Sequence, residues 1–243
     1  MEEYTNQTAL YRPSDTEKQA FLTRTYGWMA LALLITAVTA FFTAMSGPLM
    51  GAIWGAGTGR PVLFYVLAIA QIAIVWILAL AIRRISVGAA LVAFLAYSVL
   101  NGLTMSSIFW VFNLNSIAYA FLGTAAMFAM MSVYGARTKQ SLAKAGHYLI
   151  MALIGLVIVS LINSLVTFIL KMPLSWVDWL ISFATVIIFT GLTAYDTQKI
   201  MRSAEHATDS DDYKKIAIIG ALELYLDFIN IFLSLLRLFG RRK

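Results

Sequence analysis

Apolar residues recur in seven long runs, at Phe21–Thr43, Val62–Ile82, Val87–Trp110, Ile117–Tyr134, Tyr148–Leu170, Trp176–Tyr195 and Ile216–Phe239. Each is close to the roughly 20 residues that a tilted helix needs to cross a bilayer core. The pattern predicts an all-α membrane protein with seven transmembrane helices. The connections are short apart from the Gly-rich Ser46–Pro61 and the charged Thr197–Lys215. Residues 21–243 therefore read as a single integral-membrane helical domain behind a polar tail at 1–20. That tail has no basic start and no small-residue cleavage site before the first apolar run, so it does not read as a signal peptide.

Composition agrees with this pattern. Hydrophobic residues make up 60% of the chain and charged residues 12%, against about 25% charged in soluble domains. Cysteine is absent, which excludes disulfides, thiol catalysis and Cys-ligated metals. The two histidines, His147 and His206, sit in polar segments beside helices, and no two-histidine metal site is expected. The net charge of +6 does not point to nucleic acid, because the basic residues cluster at helix ends, where Lys and Arg anchor spans at the headgroups.

Sorted by side, Arg12, Lys18, Arg24, Arg83, Arg84, Arg137, Lys139, Lys144, Lys199, Arg202, Lys214 and Lys215 share the side of the N-terminus. The opposite loops hold Arg60 and Lys171. This asymmetry predicts a cytoplasmic N-terminus. Seven spans would leave Arg237, Arg241, Arg242 and Lys243 outside, whereas a re-entrant last segment would return them inside; the length of the last run favours a full span.

Polar residues inside the spans are few. Gln71, Asn101, Thr104, Asn163, Ser164 and Thr167 are expected to be interhelical hydrogen-bond partners, and Met127, Met130 and Met131 to be packing residues. Gly102-Leu103-Thr104 in the third run is echoed by Gly191-Leu192-Thr193 in the sixth, which suggests two related three-helix halves. Ionisable residues are costlier. Glu223 and Asp227 lie inside the last run, and Asp196 ends the sixth. A carboxylate at that depth costs at least a few kcal/mol unless it is paired, hydrated or protonated. At 100° per residue Glu223, Asp227, Asn230 and Ser234 share roughly a 60° arc, a polar stripe that must face protein or water.

The runs Gly191-Leu192-Thr193-Ala194-Tyr195-Asp196-Thr197-Gln198-Lys199, Ala204-Glu205-His206 and Leu224-Tyr225-Leu226-Asp227-Phe228-Ile229-Asn230-Ile231-Phe232 resemble the Bax inhibitor-1 family, also called the transmembrane BAX inhibitor motif family. The resemblance extends to Tyr26-Gly27-Trp28-Met29, Arg83, Tyr97-Ser98 and Gly102-Leu103-Thr104. It implies a bacterial inner-membrane protein with a central C-terminal helix wrapped by two three-helix halves. It further implies a pH-sensitive calcium leak, with Asp196 and Asp227 as a buried ion-binding and pH-sensing pair and Arg83 as the gating residue. Calcium and protons would be transported ligands, with no resident cofactor and no chemical step. Two carboxylates close together in a poorly hydrated site cannot both ionise cheaply and share a proton as one unit. Ionised carboxylates supply the hard oxygens that calcium takes, and protonated ones do not. Glu223 is a third, auxiliary carboxylate, and Asn230 an auxiliary amide.

Rival functions fit less well. Intramembrane aspartyl proteases also carry Tyr-Asp, matched by Tyr195-Asp196, but their second aspartate follows Gly-x-Gly. Leu224-Tyr225-Leu226 precedes Asp227 here, too bulky to admit a substrate backbone. A retinal receptor would need a lysine in the body of the last helix for its Schiff base. A regulator that binds membrane-protein partners, such as a membrane protease or death regulators, is the alternative of another class. The bilayer is the one partner that the composition itself requires.

Overall fold

In hydrocarbon a chain must satisfy its backbone amides within each segment, and long apolar runs do so as helices. The computed structural model describes residues 15–55, 61–82, 84–170, 175–204 and 210–243; Arg12, Arg60, Arg83, Lys171, Glu205 and His206 lie outside them. Nine helices are present among the described residues: α1 (Asp15–Met45), α2 (Gly47–Trp54), α3 (Val62–Ala81), α4 (Val87–Met105), α5 (Ile108–Val111), α6 (Leu114–Arg137), α7 (Ala143–Leu170), α8 (Ser175–Ala204) and α9 (Ser210–Phe239). Seven segments are long and apolar enough to cross a membrane, and they coincide with the seven runs.

Three details depart from the hydropathy pattern. The helices outrun the apolar segments, most clearly in α8, which continues from Tyr195 to Ala204, because polar side chains end a hydrophobic run without ending a helix. Part of the Ser46–Pro61 connection is itself helical: α2 has a proline in its first turn and stops at Gly55, whose φ of 74° needs no Cβ. The third run is broken after Met105. There Thr104 Oγ1 donates to Asn101 O at 3.0 Å and Ser106 Oγ to Leu103 O at 2.6 Å, hydroxyls that compete for the carbonyls of the helix.

The helix α9 is the hub. In its apolar window 67% of residues are buried, against 11% in α3 and none in α7. It packs on α1 and α4 on one side and on α6 and α8 on the other. Within the first half α4 contacts both α1 and α3, and within the second α8 contacts both α6 and α7. The two halves therefore share one contact scheme, in which α4 corresponds to α8, the helices that carry the two Gly-Leu-Thr runs. The exposed apolar faces of α3 and α7, such as Ile69, Ile72, Leu161 and Phe168, are those left to lipid.

Polar contacts also divide along these halves. Tyr225, fully buried on α9, is hydrogen-bonded to Thr36 on α1 at 2.7 Å and accepts from Asn101 Nδ2 on α4 at 2.8 Å. Thr36 Oγ1 donates its one hydrogen to Ser98 O at 2.9 Å, so Tyr225 Oη is the donor to Thr36 and the network is fully paired. Gln71 donates to Thr104 Oγ1 at 3.1 Å and Asn163 to Asp178 Oδ1 at 2.7 Å. These are the interhelical bonds expected of Gln71, Asn101, Thr104 and Asn163.

The last helix is not re-entrant. Beyond it Asn113 N donates to Arg241 O at 3.1 Å and Lys243 N to Val111 O at 3.0 Å, a short antiparallel bridge of Phe112 with Arg242. The C-terminus is thus fixed at the α5–α6 corner, the far end of the bundle from the start of α1, where Phe21 packs on Tyr213.

Candidate functional site

The run from Thr193 to Lys199 on α8 divides its residues among the neighbouring helices. Ala194 packs against α6, where Gly135 comes so close that an added Cβ would lie 2.2 Å from Ala194 O. Tyr195 lies against α7 over Gly146, whose Cβ would meet the ring at 2.3 Å. Thr197 is within 3.3 Å of Tyr26 Oη on α1 and donates its own hydrogen to Thr193 O, so the tyrosine is the donor. Gln198 accepts from Leu142 N at 2.8 Å and donates to Gln140 O at 2.9 Å, holding the α6–α7 connection. The remaining positions, Thr193, Asp196 and Lys199, face α9.

Across from them Glu223 and Asp227 occupy successive turns of α9. Lys199 and Glu223 form an ion pair between the two helices, their side chains 42% and 27% exposed. Asp227 is 3% exposed, and its Oδ2 has no hydrogen-bond partner among the described residues. Thr193 adjoins its carboxyl, and Asp196, Glu223 and Lys199 all act on it electrostatically. The antiparallel register explains the grouping: three residues along α8 from Asp196 give Lys199, and four back along α9 from Asp227 give Glu223. The structure therefore brings Asp196, Asp227 and Glu223 together. Lys199 joins them, and the sequence pattern had assigned it only to the headgroups.

Two cavities approach this cluster from opposite ends. The inner one, about 740 Å³, is lined by Ile82, Tyr195, Gln198, Lys199, Lys215 and Glu223 among others. The outer one, about 480 Å³, lies between α7, α8 and α9 and is lined by Ser160, Ser164, Thr185, Asn230, Ser234 and Arg237 among others. Asn230 donates to Leu226 O at 2.8 Å within its own helix and belongs to the outer cavity, not to the carboxylate cluster. Glu223 to Asn230 is about 10 Å along the axis at 1.5 Å per residue. Asp227 stands between Glu223 and Asn230 and lines neither cavity. The polar stripe on α9 thus faces protein and cavities, as its cost in lipid requires.

Arg83 lies outside the described residues, although Ile82 beside it lines the inner cavity. No group of three or more His, Asp or Glu side chains among the described residues could hold a metal ion.

A family model described as inhibitor of apoptosis-promoting Bax1 matches residues 18–243. Inner membrane protein YbhL of Escherichia coli K12 is 45% identical over 227 residues, covering 93% of each chain. An uncharacterized protein of Borreliella burgdorferi is 40% identical over 227 residues, covering 93% of this chain and 94% of its own. An uncharacterized membrane protein of Streptococcus pyogenes serotype M1 is 36% identical over 236 residues, covering 97% and 99%.

Proposed function

Because the chain belongs to the Bax inhibitor-1 family of membrane proteins, we propose that it is a pH-sensitive calcium leak of the bacterial inner membrane, gated by Asp196 and Asp227. The observation that carries the reading is the position of Asp227, buried with one carboxyl oxygen unpartnered, in the layer between a cavity ending at Glu223 and another beginning at Asn230. A buried, unpartnered acceptor costs about 1–3 kcal/mol, more when charged. A cation crossing the layer would gain that oxygen as a ligand.

In this proposal the ionised cluster attracts calcium from the inner cavity, and protonation removes both the charge and the ligand oxygens. The Tyr225 network holds α9 to α1 and α4 through neutral groups, whereas the contact of α9 with α8 is ionisable. A change of protonation would then act between α9 and the α6–α7–α8 half. Arg83 remains the proposed gating residue at the inner mouth, and the N-terminus is assigned to the cytoplasm on the loop charges. The proposal includes no chemical step. Calcium influx into liposomes that contain the purified chain, scanned over pH, tests it: influx above that of empty liposomes that changes with pH is expected, and influx equal to that of empty liposomes would refute the leak.

A further inference from the structure

We propose that Lys199 is a tethered cation that occupies the entrance to the carboxylate cluster and must swing aside before a divalent cation reaches Asp227. This rests on the leak reading above and names a residue that regulates the same site. Lys199 and Glu223 both line the inner cavity and form an ion pair with each other. Asp196 and Asp227 lie one turn further in, and the Lys199 ammonium acts on both.

A lysine at the end of a span ordinarily extends its stem outward to the headgroups. Lys199 instead crosses to α9. Partly exposed ion pairs contribute little to stability, so holding the fold together does not account for this one. Its position accounts for it better. Three carboxylates share one ammonium, a charge that any incoming cation must displace. The lysine stem is flexible and its ammonium a point charge with no fixed fork, so it can retreat toward the aqueous mouth. Arginine at the same place would grip Glu223 through two parallel hydrogen bonds and retreat less readily. Arg202, Asp212 and Lys215 line the same cavity and stay behind when Lys199 is replaced, so its charge can be tested alone.

The test pairs calorimetric titration of calcium into the detergent-purified full chain with calcium influx into liposomes from the same preparation. Lys199→Gln should bind calcium roughly tenfold more tightly, the effect of removing one nearby positive charge, and leak faster. Lys199→Arg should bind and leak no more than wild type. Glu223→Gln, which releases the ammonium toward the aspartates, should leak more slowly. Should the Gln variant elute as aggregate, Lys199→Met repeats the measurement with the stem kept and the charge removed. Tighter binding without influx in any variant would uphold the tethered cation and overturn the leak. Wild-type influx and binding that Lys199→Gln leaves unchanged, or that Lys199→Arg raises equally, would overturn the tethered cation and leave the leak standing. Neither binding nor influx in any variant would overturn both.

Discussion

Glu223 and Asn230 stand on the same helix two turns apart yet line different cavities, with Asp227 buried between them. Along α9 the two linings are therefore separated by only about 10 Å. Between them lie Leu224, Phe228 and Ile229, buried apolar side chains through which an ion would not pass unaided. A carboxylate in such surroundings is costly to the fold unless it is paired, hydrated or protonated.

That cost is measurable. Asp227→Asn replaces a buried carboxyl that has an unpartnered oxygen by a neutral group of nearly the same shape, and should raise stability by about 1 kcal/mol or more. Thermal unfolding of the detergent-purified protein near neutral pH checks this. A lower melting temperature would mean that the carboxyl is better satisfied than its surroundings indicate.

Tyr225→Phe should act in the opposite direction. It leaves Asn101 Nδ2 without its acceptor and Thr36 Oγ1 without its donor in a fully buried setting. A loss of about 1–3 kcal/mol is expected. Since the substitution removes no carboxylate, any pH dependence of calcium influx should keep its midpoint. A shifted midpoint would show that the contact of α9 with α1 and α4 takes part in sensing.

Gly135→Ala should weaken the junction of α6 with α8, because the new Cβ would overlap backbone at Ala194 that cannot rotate away. Gly155→Ala, with nothing within 4 Å, should be neutral or stabilising by up to about 1 kcal/mol through helix propensity. Equal melting temperatures for the two variants would contradict the close approach at the site.

Reporters fused to the two ends should appear on opposite sides of the membrane, the N-terminal one in the cytoplasm. The pairing of Arg241 and Lys243 with the segment at 111–113 requires a last helix that crosses completely. Cytoplasmic signal from both ends would contradict it.

The number and place of the spans could be read directly, because a bilayer imposes a length on every apolar run. Glu223 and Asp227 were legible as costly residues for a related reason, since a carboxylate in an apolar run is conspicuous; Asp196, at the end of its run, was picked out by the family resemblance. Lys199 was not, because a lysine at the end of a span is the commonest of anchors, and nothing local shows that its stem turns inward. Only the antiparallel register, which sets Lys199 against Glu223 as it sets Asp196 against Asp227, could have shown it. Tyr225 was hidden differently: among leucines its ring reads as apolar, and its two partners lie on α1 and α4, far away in sequence. The Tyr26-Gly27-Trp28-Met29 and Thr-Ala-Tyr-Asp-Thr-Gln-Lys runs, far apart in sequence, meet where Tyr26 lies against Thr197.

In the proposed leak Asp196 and Asp227 act as one titrating unit between the two cavities. Calcium influx into liposomes as a function of pH, measured for wild type, Asp196→Asn, Asp227→Asn and the double variant, tests it most directly. Groups in contact that act together are non-additive, with coupling of about 0.5–3 kcal/mol. Both single variants should lose most of the pH response, and the double variant should differ little from either. Single variants that keep the wild-type midpoint, or effects that simply add in the double variant, would show that the two carboxylates do not titrate together.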